Sequence, residues 1–146
     1  MKCYVSVIVC VYNEENNIAP LISQIENALS HLDYEIVYVD DGSRDGTLAE
    51  LKKITNPRLR VVEFRRNYGQ SAALAAGIEY ADGDWLVTMD GDLQNDPADI
   101  PSMLEKAERD HLDLLAGVRQ KRQDGMLLRK FPSRIANWMI RRVSGV

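Results

Sequence analysis

Short apolar runs alternate with helical patterns along this chain of 146 residues, and no other feature limits its fold as much. The runs that suit strands cover residues 5–11, 35–39, 59–64, 85–89 and 112–118. The run at 85–89 is mostly apolar, which is typical of a central strand that is covered on both faces. Strands that alternate with helices predict a largely parallel sheet with helices on both of its faces.

The segments between these runs have the residue spacing or the composition of helices. Helices are predicted at residues 16–32, 45–54, 71–81, 97–108 and 127–143. The fourth helix has Asp96 as its expected N-cap and Pro97 at its first position. The fifth is basic and amphipathic, and Pro132 must kink it or split it. A chain of this length fits one domain with one core.

The composition is that of an ordinary globular domain, with 45% hydrophobic and 27% charged residues. No apolar run approaches the ~20 residues of a membrane helix, and the N-terminal residues lack the pattern of a signal peptide. We therefore expect a cytoplasmic protein. Cys3 and Cys10 have an odd separation on one predicted strand, so they should face opposite sides, form no disulfide and act as small packing residues.

Polar residues follow the predicted strands at the points where the strands end. They are Tyr12, Asn13, Glu14 and Glu15, then Asp40, Asp41, Gly42 and Ser43, then Arg65, Arg66 and Asn67, then Asp90, Gly91, Asp92 and Gln94, and last Arg119. In open α/β sheets, ligands bind beyond the carboxyl ends of the strands. The pattern therefore predicts one binding site at this edge of the sheet.

The sequence Asp90-Gly91-Asp92 is the strongest single feature of this edge. In an extended segment the side chains of residues i and i+2 point the same way, so both carboxylates could contact the same bound ion. A hard cation such as Mg²⁺ or Mn²⁺ accepts one or two carboxylates and completes its shell with phosphate oxygens and water. Gly91 would let a ligand approach the backbone. A solvated turn that merely ends a strand is the alternative interpretation.

The other strand ends suggest a nucleoside subsite. One carboxylate of the Asp40-Asp41 pair could accept the N–H of a uracil or guanine base, although a turn and helix cap would use the same residues. Tyr12 and Glu14 could stack on the base and bind ribose hydroxyls. The dinucleotide fingerprint and the GxxxxGK[ST] loop are absent after the first strand. A bound diphosphate would then depend on the metal and on an arginine such as Arg119.

Charge is distributed unevenly along the chain. The net charge is −4, yet the segment 119–146 has eight basic residues and one acidic residue. This basic segment could contact phosphates or an anionic membrane surface, or it could be the solvated face of a helix. An acidic body without a recognised nucleic-acid motif excludes nucleic acid as the expected partner.

Several stretches together resemble family 2 glycosyltransferases with the GT-A fold. They are Val11-Tyr12-Asn13-Glu14-Glu15, Val39-Asp40-Asp41-Gly42-Ser43-Arg44-Asp45-Gly46-Thr47 and Asp90-Gly91-Asp92-Leu93-Gln94-Asn95-Asp96-Pro97. The segments 66–73 and 117–124 resemble the polyprenol-phosphate branch, which includes dolichol-phosphate mannosyltransferases and undecaprenyl- or bactoprenol-phosphate glycosyltransferases. The resemblance implies a Rossmann-like nucleotide-diphospho-sugar transferase fold over residues 1–146, with a basic helical acceptor-side segment at about 119–146.

The resemblance also implies roles for individual residues. The nucleotide-binding residues would be Tyr12, Asn13, Glu14, Val39, Asp41, Asp90 and Gly91. Asp90, Asp92 and Gln94 would hold Mg²⁺ or Mn²⁺ with the donor phosphates, and the acceptor-side candidates are Arg119, Arg129, Ser133 and Arg134. Cys10 stands where many members have proline. Members continue after Val146, so the resemblance implies a C-terminally truncated chain whose catalytic base, if one is needed, is not assignable.

The implied activity is inverting transfer of a sugar from a UDP- or GDP-sugar, with uridine favoured, to a polyprenyl phosphate. It implies peripheral contact with the cytoplasmic face of a membrane and leaves the oligomeric state open, a homo-oligomer included. Two alternatives are transfer to a saccharide hydroxyl and a non-catalytic nucleotide-sugar-binding module. A phosphoacceptor signalling domain would need a lone aspartate after a central strand and a lysine after a later one, but this chain has Asp90-Gly91-Asp92 and Arg119 at those places. A nucleotidyltransferase would need a glycine-rich basic loop after the first strand, where this chain has Tyr12-Asn13-Glu14-Glu15.

Overall fold

A six-stranded sheet forms the centre of the protein. The structure, a computed structural model, describes residues 2–117 and the backbone of residues 138–142. Its strands are β1 (Val5–Val11), β2 (Tyr34–Asp40), β3 (Leu59–Glu63), β4 (Trp85–Asp90), β5 (Leu114–Gly117) and β6 (Trp138–Arg142). They lie in the order β3-β2-β1-β4-β6-β5. β1 pairs in parallel with β2 and β4, and β2 pairs in parallel with β3. The predicted mainly parallel sheet is thereby confirmed.

Helices connect the strands and cover the sheet. They are α1 (Ile18–Leu29), α2 (Thr47–Lys53), α3 (Gln70–Tyr80) and α4 (Ile100–Arg109), with 3-10 turns at Glu15–Asn17 and Pro97–Asp99. The Asp96 side chain accepts the N–H of Ala98 at 3.0 Å, as expected of an N-cap. Within the described ranges, no helix is both long and apolar enough to cross a membrane.

The two faces of the sheet carry separate cores. Alternate residues of each strand point to opposite faces, so Val7 and Val87 pack in the cluster that contains Ile25 of α1 and Leu104 of α4. On the other face, α3 covers a smaller cluster that includes Ile8, Val39, Ala73 and Leu86. Gly77 allows this close approach, because a Cβ on it would lie 2.4 Å from Ile8 Cγ2. Both faces of the sheet are therefore buried, as predicted.

The C-terminal part of the predicted helix at 127–143 is wrong. Trp138–Arg142 forms β6, which pairs antiparallel with both β4 and β5. Without β6, the outer edge of β4 would expose a row of backbone N–H and C=O groups next to the core, and the ladder satisfies them. Residue 118 of the predicted last strand, and residues 127–137 and 143 of the predicted last helix, lie outside the described residues.

A polar network fixes the amino-terminal edge of the sheet. The buried Glu35 carboxylate accepts hydrogen bonds from Ser6 Oγ at 2.6 Å and from the N–H of Asp82 at 2.7 Å. Arg60 Nη1 lies 3.0 Å from both Glu35 Oε2 and Asp82 Oδ2. The network ties β1, β2 and β3 to the turn before β4. Cys3 precedes β1 instead of lying on it, and both cysteines are free, as predicted.

Candidate functional site

A pocket of about 370 Å³ opens at the carboxyl ends of the central strands. Its lining residues are Cys10, Val11, Tyr12, Glu14, Asp41, Asn67, Gly69, Gln70, Ala73, Asp90, Gly91 and Asp92. They come from the ends of β1, β2 and β4 and from the start of α3. β1 lies between β2 and β4, so the chain continues to one side of it and then to the other. Such a reversal of strand order is where open α/β sheets bind ligands.

Two carboxylates form one end of the pocket. Asp90 is the half-buried last residue of β4, and the exposed Asp92 follows two residues later. Burial raises the pKa of Asp90, and the negative charges of Asp92 and Glu14 raise it further. Burial also raises the pKa of the neighbouring Cys10 thiol to about 12, with smaller contributions from Asp90 and Asp41. The fold thus holds negative charge at a place where burial opposes it.

A divalent cation fits this end of the pocket chemically. The lining contains four carboxylates and, among the described residues, no lysine or arginine. Oxygen ligands of this kind suit hard cations, which often use only one or two carboxylates and complete their shell with phosphate and water. No group of three or more His, Cys, Asp or Glu side chains in the described part of the chain is arranged to hold a metal. Asp90 and Asp92 are the two carboxylates at this end of the pocket.

Gly91 is required between the two aspartates for a steric reason. A Cβ on Gly91 would lie 2.3 Å from Val11 Cγ1, so the floor of the pocket has no room for a side chain there. Asp92 Oδ1 accepts the N–H of Gln94 at 3.1 Å. The Gln94 side chain is exposed and does not line the pocket. Of the three predicted metal-binding residues, the structure thus brings together Asp90 and Asp92.

The buried Asp41 forms the opposite wall. Its Oδ1 accepts the N–H of Tyr68 at 2.8 Å, and its Oδ2 accepts the N–H of Gly69 at 3.1 Å. A carboxylate has about four lone-pair sites, so these two bonds leave capacity for a ligand N–H. Its neighbour Asp40 is also buried but accepts the N–H of Ser43 at 3.0 Å, inside a turn. The aspartate pair is thus divided between a pocket residue and a turn residue.

The loop after β1 supplies an aromatic wall. Tyr12 is 41% exposed and lines the pocket, so its ring is accessible to a ligand. Glu14 also lines the pocket, and its Oε2 accepts a hydrogen bond from the Asn17 side chain at 2.7 Å. The N–H of Glu14 donates to Thr47 Oγ1 at 2.9 Å. This loop is therefore held in place by the segment that follows β2.

Two predicted nucleotide-binding residues lie outside the pocket lining. Asn13 Oδ1 accepts the N–H of Arg44 at 2.8 Å, and its own N–H donates to Ser43 Oγ at 2.9 Å. Val39 is fully buried in the core beneath α3. Asn13 and Val39 thus support the loops and the strand that carry the pocket residues. Arg119, Arg129, Ser133 and Arg134 lie outside the described residues.

Gln70 is a pocket residue to which the sequence interpretation gave no role. It is the first residue of α3, and its Nε2 donates to Asp90 Oδ1 at 3.0 Å. Asn67 and Gly69 join it in the lining. The available signal was the segment 66–73, which carried the family resemblance, but Gln70 received no role and lay one residue before the predicted helix at 71–81.

Comparison with known proteins places this geometry in a family. The protein-family model described as glycosyl transferase family 2 matches residues 6–145 of the chain. The chain is 48% identical over 146 residues to a protein of Rhizobium johnstonii named dodecaprenyl-phosphate galacturonate synthase. It is 43% identical over 147 residues to an undecaprenyl-phosphate 4-deoxy-4-formamido-L-arabinose transferase of Pseudomonas fluorescens. Each match covers 97% of this chain and 43% of the relative, so the chain spans less than half of these relatives.

Solved structures share the fold. A mannosyltransferase of Pyrobaculum calidifontis, in complex with GDP-Man and Mn²⁺, has a TM-score of 0.71 and 25% identity, over 82% of this chain and 36% of that one. TarS of S. aureus in complex with UDP-GlcNAc has a TM-score of 0.66 and 28% identity, over 88% of this chain and 37% of that one.

Proposed function

Because the chain belongs to glycosyl transferase family 2, we propose that its pocket binds a nucleotide-diphospho-sugar and that the protein transfers the sugar to a polyprenyl phosphate. The observation that carries this proposal is the pocket itself, in which one buried aspartate and one aspartate pair lie at opposite walls. The names of the two curated relatives support a polyprenyl phosphate as acceptor.

The nucleoside would occupy the wall formed by Tyr12, Glu14 and Asp41. The exposed Tyr12 ring offers a stacking surface, and Asp41 has acceptor capacity for the N–H of a uracil or guanine base. Glu14 would accept hydrogen bonds from ribose hydroxyls. We propose uridine as the base, and a direct comparison of UDP with GDP tests this choice.

Asp90 and Asp92 would hold Mg²⁺ or Mn²⁺ beneath the donor diphosphate. When bound, such a cation would stabilise the negative charge that grows on the leaving diphosphate. Gly91 lets the chain between the two aspartates lie directly against Val11. The complex of a structural neighbour with GDP-Man and Mn²⁺ supports this use of the site. Gln94 and Arg119 remain proposed contributors to phosphate binding.

Transfer would form a bond between an acceptor oxygen and the anomeric carbon while the bond to the departing nucleoside diphosphate breaks on the opposite side. The acceptor, a lipid phosphate with a second pKa of about 6, is mostly anionic at neutral pH and needs no strong general base. The protein's tasks are then positioning and charge stabilisation. We place the reaction at the cytoplasmic face of a membrane, with Arg119, Arg129, Ser133 and Arg134 on the acceptor side.

Isothermal titration of UDP and GDP, with and without Mn²⁺, tests the donor site. We expect metal-dependent binding of one nucleotide, and its loss in Asp92→Ala. The matched control is Asp33→Ala, because Asp33 is exposed and precedes β2 at the end of the strand away from the pocket. This variant should bind like the natural sequence. Binding that is equal in the natural sequence and in Asp92→Ala would overturn the metal assignment.

A second assay tests the acceptor. Release of the nucleoside diphosphate from UDP- and GDP-sugars is measured with undecaprenyl phosphate in detergent, with a saccharide acceptor and with neither. We expect release that depends on undecaprenyl phosphate. Release that depends on the saccharide would replace the lipid with a hydroxyl acceptor. Donor binding without transfer to either acceptor, measured on a protein as long as the relatives, would indicate a binding module.

A further inference from the structure

Gln70 connects two parts of the fold at the metal end of the pocket. It begins α3, which lies on the less extensively packed face of the sheet, whereas Asp90 ends the central strand β4. The Gln70 side-chain amide donates to Asp90 Oδ1 at 3.0 Å. Both residues line the pocket, so the bond lies at the surface that a ligand would meet.

The two residues before Gln70 are fixed at the other wall. Tyr68 and Gly69 donate their N–H groups to the two oxygens of Asp41. Gly69 has a φ of 98°, a left-handed conformation that favours glycine and turns the chain into α3. Three consecutive residues, 68–70, thus hold the carboxylates at both walls of the pocket.

We propose that Gln70 is a positioning residue that orients the Asp90 carboxylate for a divalent cation, an inference that rests on the proposed function. An amide that donates to one carboxylate oxygen fixes the rotation of the side chain and leaves the second oxygen for the cation. Because the amide is neutral, it does so without cancelling the charge that attracts the cation. Outer-shell hydrogen bonds of this kind typically change metal affinity by about 10–100-fold.

The chemistry of the residue separates this role from simple packing. A methionine of similar length fills the same space but donates no hydrogen bond. A lysine reaches Asp90 with a positive charge and would compete with the cation. A packing role predicts that the methionine variant binds metal normally, whereas a positioning role predicts that both variants bind it more weakly and that lysine is the weaker of the two.

Binding of Mn²⁺, followed by the decrease of the free-ion electron paramagnetic resonance signal, tests the inference without a measurement of turnover. The proteins are the natural sequence, Gln70→Met, Gln70→Lys, Asp92→Asn and the control Ser71→Ala, an exposed neighbour outside the pocket lining. Each is measured with and without saturating UDP or GDP, and circular dichroism confirms that each variant is folded. We expect Mn²⁺ affinity to fall at least about tenfold in Gln70→Met, to fall further in Gln70→Lys and to stay unchanged in Ser71→Ala.

The outcomes distinguish this inference from the function on which it rests. Equal Mn²⁺ affinity in Gln70→Met and the natural sequence, together with a loss in Asp92→Asn, would overturn the role of Gln70 and leave the metal site standing. Failure of the natural sequence to bind Mn²⁺ with either nucleotide, or binding unaffected by Asp92→Asn, would overturn the proposed metal site and the role of Gln70 with it.

Discussion

Gly91 lies against Val11 at the floor of the pocket, so closely that a Cβ on Gly91 would be 2.3 Å from Val11 Cγ1. Val11 is buried, and its backbone carbonyl accepts the N–H of Asp41 at 2.9 Å. This contact therefore joins the segment between Asp90 and Asp92 to the wall of the pocket that carries Asp41.

Gly91→Ala should lower the free energy of unfolding by about 1–3 kcal/mol, the usual cost of inserting a methyl group into a packed site. Urea denaturation measures the change. Val11→Ala removes the methyl group that would clash, so the double variant should be more stable than the sum of the two single changes predicts. Strict additivity in this double-mutant cycle would show that the two residues do not interfere.

Asp41→Asn should destabilise the protein by roughly 1–3 kcal/mol, because an amide cannot accept both N–H groups with two oxygens. Hydrogen exchange of the Tyr68 and Gly69 amides should accelerate, and nucleotide binding should weaken. Asp33→Asn, an exposed aspartate, is the matched control and should leave both exchange rates unchanged. Unaltered exchange at Tyr68 and Gly69 in Asp41→Asn would contradict the two hydrogen bonds.

Asp90→Asn should stabilise the protein at pH 7 when no divalent cation is present. In the folded protein, burial and the negative charges of Asp92 and Glu14 raise the pKa of Asp90 above its ordinary value of 3.8. Ionisation of Asp90 therefore opposes folding when the pH of the solution is above 3.8. The advantage of the variant should shrink as the pH falls and vanish below 3.8, where the natural carboxyl is protonated in both the folded and the unfolded chain.

Thermal unfolding across this pH range measures the effect of Asp90→Asn. Asparagine keeps an oxygen that can accept the Gln70 hydrogen bond, so the comparison isolates the charge. Mn²⁺ with the nucleotide should reverse the order, because only the natural sequence would gain stability from binding. A variant that is less stable than the natural sequence at pH 7 without metal would contradict the electrostatic explanation.

Glu35→Gln should lower stability by about 1–3 kcal/mol without changing the intrinsic affinity for nucleotide. The amide nitrogen would replace one of the two oxygens that accept hydrogen bonds from Ser6, Asp82 and Arg60. This network lies at the edge of the sheet opposite the pocket. Glu79→Gln, on the exposed side of α3, is the control for stability. Weakened nucleotide binding by folded Glu35→Gln would show that the two edges are coupled.

Local patterns determined most of the parallel half of the sheet. The predicted strand at 5–11 coincides with β1, and the predicted ends of β2, β3, β4 and α3 lie within a residue of those observed. The gathering of Tyr12, Glu14, Asp41, Asp90 and Asp92 at one edge also followed from the sequence. The reason is geometrical, since parallel strands place their carboxyl ends on the same side whatever their order.

Tertiary structure decided β6, because residues 138–142 lie inside a helical pattern and become a strand only where β4 and β5 offer edges to pair with. It also decided which polar residues face a ligand. Asn13 and Asp41 both follow strands, yet Asn13 is used in a loop contact while Asp41 enters the pocket. The bond from Gln70 to Asp90 joins residues 20 positions apart on a helix and a strand. Periodicity reports which face of its own element a residue occupies, whereas such a contact depends on how two elements pack together.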